Sequence, residues 1–344
     1  MTSLLNNAPP YLVIEMKTER KIIILTPVKN EAWILPLFCK SASLWADNII
    51  IADQGSTDGS REIAQTFQKV VLIDNSSTDL DENYRDKILI EKAREITGAN
   101  AILFRLDADE IITPNFDSYE WNEIRNSPAG TFWRFKWLQI YPDFKNYWEN
   151  NTAFGAFIDD GRDYTEHGII HAREFFPHKE SDTLREAKKI GIMHFQFVDW
   201  ARMQSKHRYY QCFEHINFPN KSVIDIYRTY HWMYNKNLPK QKIPKQWIDK
   251  YYDAGIDIQD ITIEKNYWWD GKIIEYFNDY TPEYFRHIET YKPGRLLISK
   301  GKNVRDKLLL VYLSITKTLY NRNHGFLNRV VKRVDNILRN KLHF

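Results

Sequence analysis

The sequence predicts an α/β protein in which a mostly parallel sheet is flanked by helices. An antiparallel extension and a helical C-terminal part follow this sheet. Two observations predict the sheet and its extension: apolar, β-branched runs alternate with helical patterns in steps of about 25 residues over the first 110 residues, and long aromatic runs with strand-like alternation come next. A third observation predicts the C-terminal part, because the chain becomes mainly helical from Asp199 onward.

The N-terminal elements are read from the hydrophobic pattern and from the turn formers between them. In chain order they are a strand at 21–28, a helix at 30–45, a strand at 48–52, a helix at 61–67, a strand at 70–73, a helix at 84–97 and a strand at 101–106. Ligands of such sheets bind beyond the carboxyl ends of the strands. We therefore expect polar residues at these ends to form one site.

The pattern changes after Pro114. Antiparallel strands are predicted at 131–141, 168–176 and 191–197, with irregular loops over 142–167. Two prolines in residues 236–250 indicate a link to the C-terminal part.

The fourth predicted strand ends abruptly on three carboxylates: Asp107, Asp109 and Glu110. Unpaired carboxylates are costly to bury, so they should lie in a cleft and face positive charge. A divalent metal that holds phosphates is the usual partner of hard oxygen ligands. The alternative for so short a pattern is an acidic turn after a strand.

Composition limits the class of protein. The net charge of +3 is uneven, because residues 301–344 carry ten Lys/Arg against two Asp/Glu while the rest of the chain is net negative. Cys39 and Cys212 give no disulfide framework, which fits a reducing, cytoplasmic setting. We expect no signal peptide in residues 1–10 and no membrane-spanning helix.

Residues 21–110 resemble a family-2 glycosyltransferase with the GT-A fold. Three segments carry the resemblance: 26–31 (TPVKNE), 53–60 (DQGSTDGS) and 106–110 (LDADE). The spacing between them also matches, and the likeness extends more faintly to about residue 215. It implies a GT-A-like, Rossmann-type sheet that binds a nucleotide-sugar.

The resemblance implies a set of residues that line the nucleotide pocket: Thr26, Pro27, Val28, Glu31, Asp53 and Asp107. Carboxylates suit this role because they accept hydrogen bonds from base N–H groups and ribose hydroxyls. Asp58 is a further candidate, with a helix cap as its alternative. Asp86 and Lys87 also come within reach of the nucleotide, although both fit a solvated helix face.

The same resemblance implies a Mn²⁺ or Mg²⁺ ion held by Asp107, Asp109 and His194, with a UDP-sugar as the preferred donor. His194 ends a Gly-x-x-His pattern, and its alternative is a histidine satisfied on a half-buried strand. His167 and His171 are further candidates. Lys206 and Arg208 could meet the diphosphate or lie on a solvated helix face.

The catalytic base is the point at which the chain departs from the family pattern. Inversion needs a carboxylate that deprotonates the acceptor hydroxyl, and many relatives carry a Glu-Asp pair there. No such pair occurs between Asp109 and His194. Asp160 is the predicted base, followed by Glu166.

Two regions are predicted: a glycosyltransferase domain at 1–215, with a nucleotide-sugar half at 21–110 and an acceptor half at 111–215, and a helical region at 216–344. The tail 326–342 has the pattern of a basic amphipathic helix. It either docks peripherally on the anionic inner face of a membrane or packs on its own domain or a second subunit.

The expected function is that of a metal-dependent, inverting enzyme acting on a glycan or lipid-linked acceptor in cell-surface polysaccharide or lipopolysaccharide synthesis. The alternative is a non-catalytic nucleotide- or glycan-binding relative. A nicotinamide dehydrogenase and a nucleotidyltransferase are disfavoured, because residues 26–30 contain no glycine. No nucleic-acid-binding motif is evident.

Overall fold

A computed structural model describes residues 20–77, 81–164, 182–230, 238–281, 283–288, 304–316 and 325–342. Its strands are β1 (Ile22–Val28), β2 (Asn48–Asp53), β3 (Val70–Asp74), β4 (Ile102–Arg105), β5 (Glu110–Ile112), β6 (Thr131–Ile140), β7 (Asn146–Ile158), β8 (Thr183–His194) and β9 (Gln241–Lys242). Its helices are α1 (Leu35–Ser43), α2 (Ser60–Gln65), α3 (Glu82–Thr97), α4 (Tyr119–Arg125), α5 (Trp200–Asn217), α6 (Val223–Tyr230), α7 (Lys245–Asp253), α8 (Trp268–Tyr280), α9 (Val304–Thr316) and α10 (Gly325–Leu342).

The described strands form one mixed sheet in the order β3-β2-β1-β4-β7-β6-β8-β5, and β9 pairs with β7. The first four strands in this order are parallel, as the sequence predicts. β7 then runs antiparallel to both β4 and β6, whereas β8 is parallel to β6 and antiparallel to β5. The predicted α/β class with an antiparallel extension is confirmed.

Alternation along β1 explains why helices cover both faces of the parallel part. Ile22 and Ile24 join the core cluster that contains α1, whereas Ile23 and Leu25 join the cluster that contains α3. A strand that is buried on both faces needs apolar residues at every position. The continuous run IIIL at the start of β1 meets this requirement.

The prediction of irregular loops over 142–167 is wrong, because β7 occupies thirteen of these residues. β7 pairs with β4 on one side and β6 on the other. Its first half is rich in polar residues, which hides the apolar pattern of the second half, AFGAFI. The predicted strand at 168–176 lies outside the described residues, and β8 begins at Thr183, eight residues before the predicted start at 191.

The C-terminal helices pack closely on the sheet domain. α5 runs through the boundary predicted after residue 215, and α8 packs on α5 through a cluster that includes Tyr209, Phe213, Trp269 and Ile273. α7 begins at Lys245, within the segment predicted as a link. None of the described helices is both long enough and apolar enough to cross a membrane.

Candidate functional site

A cleft of about 450 Å³ opens at the carboxyl ends of the parallel strands. Its floor comes from the ends of β1 and β2 and from the turn after β4. Its other walls come from α3, α5 and α8. Five of the predicted site residues line it: Pro27, Val28, Glu31, Asp107 and Asp109. The parallel topology therefore brings segments that are about 80 residues apart to one rim.

The turn between β4 and β5 fixes the two aspartates of the D-x-D pattern in different environments. Asp107 is partly exposed, and its Oδ1 accepts a hydrogen bond of 2.6 Å from Nη1 of the buried Arg105. Its backbone amide donates to Glu110 Oε2 at 3.0 Å. Glu110 thus shapes the turn, whereas Asp109 is buried at the bottom of the cleft.

Strand pairing places His194 beside Asp109. Glu110 pairs with His194 across β5 and β8, and the Phe195 amide donates to the Asp109 carbonyl at 2.8 Å. As a result, His194 Nε2 lies 3.5 Å from Asp109 Oδ2. The imidazole stacks on Trp137, with 4.8 Å between ring centroids. This stacking fixes the plane of the histidine ring next to Asp109.

The pair formed by Asp109 and His194 fits a divalent ion. Asp109 Oδ2 and His194 Nδ1 are buried and have no hydrogen-bond partner among the residues that the structure describes. Two ligands of one small divalent ion lie roughly 3 Å apart, close to the observed separation. No cluster of three His, Cys, Asp or Glu side chains that could hold a metal occurs in the described part of the chain. Mg²⁺ commonly binds one or two carboxylates and takes its other ligands from phosphates and water.

Lys206 on α5 supplies the positive charge opposite these ligands, with Nζ 4.0 Å from Asp109 Oδ2. Burial alone would raise the pKa of Asp109, but Lys206 and His194 outweigh it and lower that pKa. Burial alone would lower the pKa of Lys206, but Tyr210, Asp109 and Glu31 raise it instead. Both groups are therefore charged at neutral pH.

Glu31 is fixed from the other side of the cleft by Arg202, which is buried on α5. Arg202 Nη2 donates to Glu31 Oε2 at 2.7 Å, and Trp33 Nε1 donates to the same oxygen at 2.6 Å. The guanidinium lies between two indole rings, 4.3 Å from Trp33 and 4.7 Å from Trp269. Burial raises the pKa of Glu31 despite the opposing effects of Arg202 and Lys206. Arg202 therefore connects the floor of the cleft to α8.

Three other predicted nucleotide residues, Thr26, Asp53 and Asp58, are not among the residues that line the cleft. Asp53 is buried, and its Oδ2 accepts hydrogen bonds from Arg61 at 2.8 Å and from the Ser56 amide at 3.2 Å. Asp53 Oδ1 and Thr26 Oγ1 have no hydrogen-bond partner within the described ranges. Asp58 accepts from the Ala32 amide at 2.9 Å, so it ties the two loops of the cleft floor together.

The two candidates on α3 differ in position. Asp86 is buried, with Oδ1 3.4 Å from Arg105 Nε and 3.4 Å from Arg85 Nε. Burial raises the pKa of Asp86, although Arg105 and Arg85 oppose this effect. Lys87 is exposed and lies 3.9 Å from Glu91, outside the cleft lining. Arg85, which the sequence did not single out, lines the cleft instead.

The structure does not bring Asp160 to the cleft. β7 runs antiparallel to β4, so Ile158 pairs with Ile102 at the N-terminal end of β4, opposite the strand ends that form the cleft. Asp160 follows there and forms an ion pair with Arg162 at 2.6 Å, next to Asp182. Glu166, His167 and His171 lie outside the described residues, so their roles stay predictions.

The sequence did not reveal how much of the cleft comes from the C-terminal half. The contributing residues are Lys206, Tyr209, Tyr210, Trp268, Trp269, Gly271, Lys272 and Glu275. Among them only Lys206 was a candidate; Arg208, its neighbour, lies 3.8 Å from Asp270. The aromatic run Tyr267-Trp268-Trp269 is visible in the sequence, but aromatic residues are equally common in cores.

Comparison with known proteins agrees with this geometry. Residues 23–179 match the model of Glycosyl transferase family 2. A search of curated proteins returned no significant match.

The solved structures that resemble the chain are distant. A glucosyl-3-phosphoglycerate synthase from Mycobacterium tuberculosis, in complex with Mn²⁺, UDP and glucosyl-3-phosphoglycerate, is 18% identical; the match covers 40% of this chain and 50% of that one, with a TM-score of 0.25. HddC from Yersinia pseudotuberculosis is 11% identical, with 41% and 74% coverage and a TM-score of 0.25. The chain thus spans about half the length of the mycobacterial enzyme, and TM-scores this low carry no argument about function. The family match concerns residues 23–179, a little under half of the chain, and within that segment the chain is similar to glycosyl transferase family 2.

Proposed function

We propose that this protein is a metal-dependent, inverting glycosyltransferase. It transfers a sugar from a UDP-sugar to a glycan or lipid-linked acceptor in the synthesis of cell-surface polysaccharide or lipopolysaccharide. One observation carries the metal-dependent part: His194 Nε2 lies 3.5 Å from Asp109 Oδ2, a buried oxygen that lacks a hydrogen-bond partner among the described residues. The family match carries the transfer reaction.

Different parts of the cleft are assigned to different parts of the donor. We assign the nucleoside to the floor formed by the ends of β1 and β2, where Pro27, Glu31 and Gln54 line the cleft. We assign the diphosphate to the space between Asp109 and the cations Lys206 and Arg85. A divalent ion bound by Asp109 and His194, with Asp107 near it, would neutralise the leaving diphosphate.

The acceptor side is assigned to the wall formed by α8. Trp268 and Trp269 offer apolar ring faces suited to a sugar, and Lys272 and Glu275 offer polar groups at the rim. We do not propose Asp160 as the base, because it lies beyond the N-terminal end of β4, whereas the cleft lies at the carboxyl ends of the parallel strands. Glu166 stays the predicted base.

Calorimetric titration with UDP, GDP and dTDP, with and without Mn²⁺, tests the donor site. We expect the wild type to bind UDP only when Mn²⁺ is present. Removing either ligand, in Asp109→Asn or His194→Ala, should weaken Mn²⁺-dependent binding by about tenfold or more, since even outer partners of metal ligands typically contribute this much. The matched control Lys92→Gln, on the exposed side of α3, should bind like the wild type.

If no nucleotide binds under any metal condition, the donor site is not where we place it. The alternative, a non-catalytic nucleotide- or glycan-binding relative, is favoured by the position of Asp160 away from the cleft. The two are separated by the slow release of free sugar from UDP-sugars in the absence of acceptor. An enzyme releases sugar and loses this activity in Asp109→Asn, whereas a non-catalytic relative binds UDP and releases none.

A further inference from the structure

The two last helices of the chain each expose a row of large apolar side chains. On α9 the row is Val304, Leu308, Val311 and Ile315, of which every member is more than half exposed. On α10 the exposed apolar residues are Phe326, Leu327, Val330 and Ile337. Spacings of three and four residues on α9, and of four and seven between Phe326, Val330 and Ile337 on α10, place each row along one side of its helix. Single exposed apolar residues need no explanation, but two such rows on neighbouring helices do.

The opposite sides of these helices are already in use. Leu309 and Leu313 of α9 pack on Ile224 and Tyr227 of α6. α10 is attached to α6 and α9 by a buried network: Arg228 Nε donates to Asp335 Oδ2 at 3.0 Å, Arg228 Nη2 donates to Thr316 Oγ1 at 2.8 Å, and Tyr312 Oη donates to Asp335 Oδ1 at 2.8 Å. The exposed rows are therefore not the sides by which α9 and α10 pack on the rest of the protein.

The charges of α9 and α10 are sorted in the same way. Each helix contains one acidic residue, and both are buried in ion pairs: Asp306 with His287 and Arg286, and Asp335 with Arg228. The charged side chains that these helices expose are cations only: Arg305, Lys307, Arg329, Lys332 and Arg333. Apolar rows whose own helices expose only positive charge fit a surface that is both apolar and anionic.

We propose that the exposed side of α9 and α10, named here the α9–α10 face, docks peripherally on an anionic lipid bilayer. In this arrangement the apolar rows enter the boundary between headgroups and acyl chains, and the five cations meet acidic headgroups. A second copy of the chain is a poorer occupant, because it would place two positive faces against each other. The inference does not depend on the nucleotide site, which α9 and α10 do not line.

Co-sedimentation of the full chain with vesicles tests the proposal. We expect binding to vesicles that contain phosphatidylglycerol, little binding to pure phosphatidylcholine, and weakening as salt is raised. The charge variant Arg329→Gln/Arg333→Gln and the apolar variant Leu308→Ser/Ile315→Ser should each bind anionic vesicles about tenfold more weakly or worse. The matched control Lys188→Gln/Lys189→Gln removes two exposed cations from β8 and should bind like the wild type.

Three results would overturn the proposal: no binding to anionic vesicles, equal binding to neutral ones, or the same loss in the β8 control as in the α9–α10 variants. A dimer in sedimentation equilibrium that Leu308→Ser/Ile315→Ser dissociates would assign the face to a second copy instead. All substituted residues are exposed, so we expect the variants to fold. UDP titration of each variant reports separately on the donor site, which keeps a failure of docking distinct from a failure of the proposed function.

Discussion

At the scale of single residues, one buried arginine, Arg105, fixes the D-x-D turn by contacting a carboxylate on each side of it. Arg105 is fully buried and lies between Asp86, 3.4 Å away on α3, and Asp107, 2.6 Å away in the turn. Removing this cation would leave Asp107 without its ion-pair partner and the buried Asp86 with Arg85 alone, which is costly in a buried place. The orientation of Asp107 in the cleft thus depends on a residue that touches no substrate.

The two cysteines provide a test of burial. Cys39 and Cys212 are both fully buried, and burial raises the pKa of Cys39 to about 12 and raises that of Cys212 as well. Because only the thiolate reacts, a fraction on the order of 10⁻⁴ of Cys39 is reactive at pH 8. We expect an aromatic disulfide reagent at pH 8 to label neither thiol in the native protein and both in urea.

The sign of the pH effect follows from the raised pKa. Folding favours the protonated thiol, so its contribution to stability is present below the ordinary cysteine pKa and is lost as the pH rises toward 12. Rapid labelling of the native protein at pH 8 would contradict the burial of these side chains. The labelling rate in urea serves as the control for reagent quality.

Residues at the strand ends were predictable because the chain itself marks them. Asp107 and Asp109 follow an apolar strand directly, and Asp53 ends another, so position in the sheet follows from order in the chain. Arg202 and Trp269 could not be found in this way, because nothing local in the sequence indicates that Arg202 pairs with Glu31 and stacks on Trp269. Asp160 was misplaced for the same reason: its position depends on β7, a strand that the pattern did not reveal.

At the scale of elements, close packing of β7 on its neighbours depends on glycine. An added Cβ at Gly155 would lie 2.5 Å from Cδ2 of the buried Phe135 on β6 and 3.2 Å from Ile192 Cδ1 on β8. Real Cβ atoms do not approach a ring so closely, so strand or ring would have to move. Gly155 is thus the residue that lets β7 pack against Phe135 of β6 and Ile192 of β8.

Gly155→Ala should therefore destabilise the protein by about 1–3 kcal/mol, the usual range for overpacking a core. The matched control is Gly271→Ala in α8, where an added Cβ meets nothing within 4 Å. Replacing glycine in a helix should stabilise by about 0.5–1 kcal/mol. Urea unfolding of both variants measures the difference, and equal midpoints would show that β7 does not pack on Phe135 as described.

At the scale of the whole molecule, the cleft is completed by parts of the chain that the family match does not cover. The match ends at residue 179, whereas His194, Lys206 and Trp269 all lie beyond it. The floor of the cleft therefore lies within the matched segment, and its roof is formed by the C-terminal helices beyond that segment. We infer that specificity for the acceptor resides in α5 and α8, and that the two predicted regions act as one unit.

Arg202 is the residue on which this unit depends. It is 3% exposed and pairs with Glu31, which lies in the matched segment 23–179. Its guanidinium stacks between Trp33, from the same segment, and Trp269, from α8 beyond it. Arg202→Met fills a similar volume but leaves the Glu31 carboxylate buried without its cation, which typically destabilises by about 3–5 kcal/mol. Arg202→Lys keeps the charge, loses the planar stacking and should fall between Met and wild type.

Urea unfolding followed by tryptophan fluorescence measures these changes, with Arg329→Met on the exposed side of α10 as the matched control, expected within about 0.5 kcal/mol of wild type. Because Glu31 and Trp269 both line the cleft, Arg202→Met should also weaken UDP binding under conditions where the variant is folded. A variant that is as stable as the wild type and binds UDP equally well would mean that the roof and the floor of the cleft are held together elsewhere. A variant that is less stable but binds UDP like the wild type would mean that Arg202 supports the fold without shaping the donor site.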